Sequence, residues 1–234
     1  MPISDDIERF ESENRKLRME WHQSYGCNQV DFIYDGPTDS RLWFNSKYRI
    51  LCLLKEAHGG GTWDHAEAIH TDLGLLRVGG TANQATHYRM VEWLYAIERT
   101  LNGQSVDIEE ERRTDYPECR AVMLRSAWIN IKKANGVSHS DANDLSIVVR
   151  RDHIFLKKQI DMLNPQIILC CATFEIARDP LFSNCARIQG TKFSYRSEGR
   201  VIVNYRHPAR ASRETYMPLM EEARMLREAW PSAD

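Results

Sequence analysis

The sequence predicts an α/β fold: a three-layer α/β/α sandwich with a central four-stranded parallel sheet. Three observations predict it. Four short apolar runs are bounded by polar residues, at 49–54 (RILCLL), 127–131 (AWINI), 166–171 (QIILCC) and 200–204 (RVIVN). Apart from Asn130 and polar residues at their ends, their apolarity is continuous instead of alternating, the pattern of strands buried on both faces of a parallel sheet. Segments of helical period lie between them, as strand–helix–strand crossovers require.

Taken in order, Ser4 with Asp5 and Asp6 behind it reads as a helix start. Ile7, Phe10, Leu17 and Trp21 then mark one face of a helix reaching about Tyr25. After the first strand run, helical patterns cover 84–101 and 117–125. The second run follows. A helix over 149–163 leads into the third run, and a short one over 173–178 leaves it. The last helix starts near Pro218, a residue suited to a first turn, and carries Leu219, Met220, Ala223, Leu226 and Trp230. There is no internal repeat or low-complexity linker. The 234 residues read as one domain with an N-terminal helical extension over about residues 1–47. The charge run 109–113 reads as a solvated surface stretch.

Bulk chemistry narrows the function classes. No apolar run is long enough to cross a bilayer, so no membrane partner is expected. The opening Asp5, Asp6 and Glu8 lack the basic-then-apolar pattern of a secretion signal, and a cytoplasmic location is the expectation. The net charge of -2 gives no global basic signature, so any nucleic-acid contact must come from a local patch. None of the six cysteines forms a C-x-x-C pair, which argues against a zinc or iron–sulfur centre. Cys52, Cys170 and Cys171 fall in strand runs and read as reduced core thiols.

The chemistry-bearing segments lie where the chain leaves a strand. Lys55-Glu56-Ala57-His58-Gly59-Gly60-Gly61 follows the first run, Asn130-Ile131-Lys132-Lys133 ends the second, and Tyr205-Arg206-His207-Pro208-Ala209-Arg210 follows the fourth. In open α/β sheets ligands bind beyond the carboxyl ends of the strands. Three consecutive glycines match neither the dinucleotide fingerprint nor the phosphate-binding P-loop. Taken singly, each segment has a bland reading. Glu56 reads as an ion-pair partner of Lys55 or another base, Asn130 as a strand-end cap, His207-Pro208 as a turn, and Arg210 as part of a solvated basic loop.

Their order resembles the uracil-DNA glycosylase superfamily, over roughly residues 48 to 217. Leu54-Lys55-Glu56-Ala57-His58-Gly59 is similar to the G-E-A-P-G motif of the thermophile-type members. Residues 128–133 (WINIKK) resemble their T-N-x-V-K segment, and 203–208 (VNYRHP) the stretch ending in H-P-S. Residues 160–171 (IDMLNPQIILCC) resemble their helix-then-strand approach to the third strand. The chain departs from the pattern at Lys55, where Gly is usual, and at His58, where Pro is usual. Ala57 stands where the most active uracil enzymes carry Asp. The cluster cysteines of the thermophile type have no counterpart here, so no cofactor and no metal are expected.

The resemblance implies a monofunctional DNA glycosylase that acts as a monomer on DNA. Asn130 would read the edge of a flipped pyrimidine, its amide orientation deciding between a uracil and a cytosine-like edge. His207 would donate to the base O2 as negative charge grows there, and Glu56 would position or deprotonate water or stabilise the cationic sugar. Ala57, His58 and Gly59 would line the base site. Arg206, Arg210, Arg213 and Lys132 would meet DNA, with Arg210 filling the vacated stack or gripping phosphate. The stacking aromatic is not at its usual place, where Arg77-Val78-Gly79 stands; Trp63, His87 and Tyr88 are the candidates. Gly59, Gly60 and Gly61 leave room for a C5 substituent, so both uracil and a modified pyrimidine fit. Some members of the superfamily excise bulky phage cytosines such as glucosylated hydroxymethylcytosine in antiviral defence. Two other readings stand beside this one: a catalytically silent DNA-binding module of the same fold, and a nucleoside or nucleotide hydrolase.

Overall fold

The computed structural model describes residues 4–26, 31–57, 60–71, 85–106, 116–136, 140–210 and 215–229. The chain runs α1 (Ser4–Ser24), β1 (Ile33–Tyr34), β2 (Gly36–Pro37), α2 (Ser40–Phe44), β3 (Ile50–Leu54), β4 (Trp63–Asp64), α3 (His65–Thr71), α4 (Ala85–Leu101) and α5 (Tyr116–Leu124). It continues through β5 (Ala127–Asn130), α6 (Ala142–Leu163), β6 (Ile167–Cys171), α7 (Phe174–Leu181), β7 (Ala186–Arg187), β8 (Ser194–Ser197) and β9 (Arg200–Tyr205). A 3-10 turn (Pro208–Arg210) and α8 (Tyr216–Ala229) close it.

The four apolar runs become β3, β5, β6 and β9, and all their contacts with one another are parallel. Every residue of β3, β5 and β6 is buried, as unbroken apolarity predicts. The expected four-stranded sheet is nevertheless corrected. The strands belong to a seven-stranded mixed sheet of order β2-β5-β3-β6-β9-β8-β7, and a separate parallel pair joins β1 to β4. The added edges are antiparallel: β2 on β5 at one side, β8 and β7 beyond β9 at the other. They escape a hydrophobicity reading because they are short and polar. The β2 strand is Gly36–Pro37, and a proline without an N–H suits an edge. Both residues of β7 are exposed.

Side chains alternate across the sheet and build a core on each face. Cys52, Trp128, Leu169 and Val203 face a cluster with residues of α4, α5 and α8. Leu51, Ile129, Ile168 and Ile202 face a second with residues of α1, α2, α6 and α7. Cys52, Cys170 and Cys171 are free thiols buried in these cores. Among the described residues no helix is long and apolar enough to cross a membrane. The charge run 109–113 lies outside the described residues.

Two helices differ from their sequence boundaries for readable reasons. α6 starts seven residues ahead of the predicted Val149, capped by Asp141, whose carboxylate accepts from the Asn143 and Asp144 amides at 2.7 and 3.1 Å. Its first residues are polar and exposed, so the apolar period begins late. α7 continues through Pro180, its next-to-last residue, which gives up one i→i−4 bond in the closing turn while Phe182 N still donates to Arg178 O at 2.9 Å.

The segment over residues 1–47 is more than a helical extension, since it supplies β1 and β2 and sends Phe10, Trp21 and Trp43 into the core beneath the sheet. Trp21 is fully buried, stacked on Phe155 of α6 at 5.4 Å and edge-on to Phe32 at 5.9 Å. Trp21→Ala removes this packing and is expected to cost about 3–5 kcal/mol of unfolding free energy. Urea denaturation followed by circular dichroism checks it; a loss below about 1 kcal/mol would mean that α1 is dispensable to the domain.

Candidate functional site at the carboxyl rim of the sheet

The backbone ladder between β3 and β5 does not stop where the strands end. Ile131 N donates to Leu54 O at 2.9 Å, Lys132 N to Lys55 O at 3.0 Å, and Gly136 N to Ala57 O at 2.8 Å. On its other side, the segment after β5 bridges Ala134 to Phe32, and Ile33 N donates to Lys133 O at 2.8 Å. Asn135 donates to Asp31 at 3.0 Å and to Gly61 O at 3.1 Å, and Gly61 N donates to Asp31 at 3.0 Å. The motif after β3 is thus pinned on both sides of His58 and Gly59, which lie outside the described residues.

This pinning decides where Glu56 goes. Its side chain is 5% exposed, and Lys132 Nζ lies 2.9 Å from Oε2. The buried carboxylate is therefore charge-paired where it sits. A Cβ built on Gly136 would fall 2.4 Å from Glu56 Cγ, so the carboxylate has its place because residue 136 lacks a side chain. Lys132 also reaches Asp144 of α6 at 2.7 Å. Burial acts to lower the Lys132 pKa, but the carboxylates of Asp144 and Glu56 outweigh it and raise it. The lysine expected at phosphate is therefore engaged by two acids.

Asn130, paired in register with Leu54, is 1% exposed. Its backbone N donates to Asp35 Oδ2 at 2.7 Å, and its side-chain Nδ2 lies 3.3 Å from the same oxygen. Asp35, between β1 and β2, is fully buried and ion-paired with Lys133. Lys133 also donates to Gln159 Oε1 at 3.1 Å and stands 4.7 Å from the centre of the Trp21 ring. Burial drives the Lys133 pKa down, with Asp35 opposing the shift. Asp35, Gln159 and Gly136 carry no sequence motif. The one available signal was a lone carboxylate inside the otherwise apolar run 32–37 (FIYDGP).

At the end of β6 the chain reverses through Ala172, a non-glycine residue at φ 57. Its N–H donates to Tyr205 O at 2.7 Å, and Thr173 Oγ1 donates to Leu53 O at 2.9 Å, which binds this turn to the ends of β9 and β3. Such a conformation outside glycine costs roughly 1–3 kcal/mol and concentrates at functional sites. Beyond β9, His207 is half-buried, and Ala209 N donates to its Nδ1 at 3.2 Å. A neutral ring that accepts at Nδ1 carries its proton on Nε2 and is a donor there. α4 braces this loop through Arg89, which donates to Ala209 O at 3.2 Å.

Neither family models nor curated proteins give a match to this chain.

The remaining expected residues are scattered in their support. Ala57 is half-buried and bonded through its carbonyl to Gly136. Arg206 is exposed and lines a cleft of about 490 Å³ with Phe174, Glu175, Phe193 and Asn204, beyond the ends of β6 and β9. Arg210 lies in the 3-10 turn with its side chain outside the described set, and Arg213 lies outside the described residues. Of the aromatic candidates, Trp63 and His87 join a cluster with His65 and Trp128. The His65 and His87 Nε2 atoms are 2.9 Å apart, and His87 stacks on Trp128 at 5.5 Å. The side chain of Tyr88 is outside the described set.

His65 is 3% exposed, and burial, then His87 and Lys133, hold its pKa well below the ordinary 6.5. A histidine kept neutral by the fold contributes stability fully above pH 6.5 and loses it as the pH falls and the unfolded chain takes up the proton first. Urea midpoints between about pH 5 and 8 should therefore fall on acidification. The share due to His65 should approach about 1.4 kcal/mol per pH unit. His65→Asn should remove that share; an unchanged pH slope in the variant would contradict the assignment.

Proposed function

We propose that this chain is a DNA glycosylase that flips out and excises a uracil-like or C5-modified pyrimidine, leaving an abasic site. The observation that carries the reading is the set of groups at the carboxyl rim of the parallel strands. In the order β5-β3-β6-β9, the connection from β3 runs one way, to β5, and that from β6 the other, to β9, so the switch point lies between β3 and β6. Glu56 follows β3, Asn130 ends β5, the Ala172 turn ends β6 and His207 follows β9. Two strand spacings, roughly 10 Å, separate β3 from β9, and the small Ala172 turn lies between them.

The chemistry follows from what each group offers. Breaking the N-glycosidic bond puts negative charge on the base and positive charge on the sugar. His207, beyond β9, would be the group that donates to the base O2 as that charge grows. The Glu56 carboxylate, paired with Lys132, has acceptor sites left for water and puts a negative charge beside the sugar. Arg206 on the rim of the adjacent cleft supplies positive charge for the DNA backbone.

A second reading, a DNA-binding module without chemistry, is favoured by two specific observations. The Glu56 charge is already met by Lys132, and Asn130 is closed from solvent, so a base reaches it only after the surrounding segments shift.

The test is mass spectrometry of bases released from uracil-containing, deaminated and glucosylated DNAs, with alkaline cleavage of the abasic sites. The wild-type chain is expected to release one pyrimidine class. Glu56→Gln should slow release about 10²–10⁴-fold and His207→Ala about 10²–10³-fold. No release from any substrate, with DNA affinity retained, would select the silent module. In a separate variant, Gly136→Ala, the new methyl displaces the Glu56 carboxylate. It should suppress base release while the cooperative thermal transition remains; full activity would show that Glu56 needs no such seat.

A further inference from the structure

We infer that Asp35 is a positioning residue. Its buried carboxylate locks the Asn130 carboxamide in one of its two flipped orientations and so sets whether the site accepts a 4-keto or a 4-amino pyrimidine edge. The geometry stands by itself; its consequence for base choice rests on the glycosylase reading.

Both oxygens of Asp35 are committed. Oδ1 meets Lys133 Nζ and, at 3.2 Å, Gln159 Nε2, which also donates to the Asp35 carbonyl at 3.0 Å. Oδ2 faces the Asn130 backbone N at 2.7 Å and side-chain Nδ2 at 3.3 Å. An ionised carboxylate paired with an ammonium accepts and never donates. The amide end beside it must therefore be the NH₂. A flipped Asn130 would set Oδ1 against Oδ2, two acceptors with no proton between them, in a site closed to water. Because the same oxygen also holds the Asn130 main-chain N–H, the side chain is referenced to its own backbone and has little freedom to rotate. Asp35 adjoins β2, on the side of β5 away from β9, so the NH₂ end turns away from the β9 side of the sheet, after which His207 follows.

A fixed amide presents a fixed order of donor and acceptor. A 4-keto pyrimidine shows an N3–H donor beside an O4 acceptor. A 4-amino pyrimidine shows the reverse, an N3 acceptor beside an N4 donor. One amide orientation satisfies one of these orders and sets like groups against each other in the second. Discrimination at position 4 then depends on a carboxylate that touches no base.

Asp35→Ala would strand the Lys133 ammonium in the core, so the test uses Asp35→Asn combined with Lys133→Met. An asparagine at 35 presents either an acceptor or a donor and tolerates both orientations of Asn130. The first readout needs no catalysis: hydrogen exchange of the Asn130 side-chain amide in ¹H–¹⁵N spectra, assigned by its disappearance in Asn130→Asp. Slow exchange of one amide proton in the wild type and its acceleration at least about tenfold in the double variant are expected. The second readout is the ratio of release rates for matched 4-keto and 4-amino bases bearing the same C5 group. It should exceed about 10²-fold in the wild type and fall at least tenfold in the double variant. Equal amide exchange in the two folded proteins, or an unchanged ratio, overturns the inference. A wild type that releases no base defeats the glycosylase reading, and the amide exchange still decides whether Asp35 holds Asn130.

Discussion

The buried ion pair between Asp35 and Lys133 is the constraint on which this end of the molecule depends. Taking both charges out of water costs several kcal/mol per ion, and their attraction repays it only if the remaining polar atoms are satisfied. Here they are bonded from four directions: Gln159 reaches in from α6, Trp21 of α1 lies against the ammonium, the main chain beside β2 carries the carboxylate, and Asn130 at the end of β5 donates to it. Those elements come from distant parts of the sequence, and one pair of opposite charges fixes them to the same point. A hydrophobic pair of similar volume would fill the space but would specify neither the register of β5 nor the orientation of its last side chain.

From that point the site is assembled by backbone continuity. The segment after β5 continues the ladder with β3 on one side and pairs with the stretch before β1 on the other, so Lys132, Ala134 and Gly136 have fixed neighbours although they belong to no strand. Glu56 is seated by this means. A missing side chain at Gly136 gives it room, and Lys132 gives it a countercharge. Lys132 is in turn shared with Asp144 in the first turn of α6, so the helix whose Gln159 braces Asp35 also sets the charge balance at Glu56.

What the sequence revealed and what it concealed divide along a physical line. Long apolar runs announce themselves, because burial on both faces of a strand demands apolar residues at every position; β3, β5, β6 and β9 were legible for that reason. The edges β2, β7 and β8 were not, since an edge strand is short and half-solvated and carries residues that a loop would carry as well. The polar residues at strand ends were legible as a set through their order along the chain. Their partners were hidden. Nothing in the spacing of Asp35, Gln159 and Gly136 announces that the first two meet Asn130 and Lys133 and that the third makes way for Glu56. Those are long-range contacts, and hydrophobic periodicity carries no information about which polar residues meet. Lys132 illustrates the consequence: the resemblance puts it at DNA, and in place it is the partner of two acids.

The two central polar side chains are treated in opposite ways, and the contrast bears on what the rim can do. Asn130 donates to a charge that cannot move, so its amide order is set before any ligand arrives. Glu56 is met by the Lys132 ammonium, which occupies only part of what a carboxylate can accept. In the proposed chemistry the asymmetry has a use. Recognition of a planar base edge requires an order of donors and acceptors that does not reorganise, whereas an acid that must receive a water or face a developing cation requires an unfilled position. Preorganised dipoles are most effective when their own orientation has been secured by the fold in advance. The Asp35–Lys133 pair secures it for Asn130, and the Ala209 amide on Nδ1 does so for His207 by fixing which nitrogen carries the proton. Glu56 alone is held by shape and charge with a lone pair to spare, which is the distribution of rigidity and reserve that hydrolysis of a flipped nucleotide would ask of these three groups.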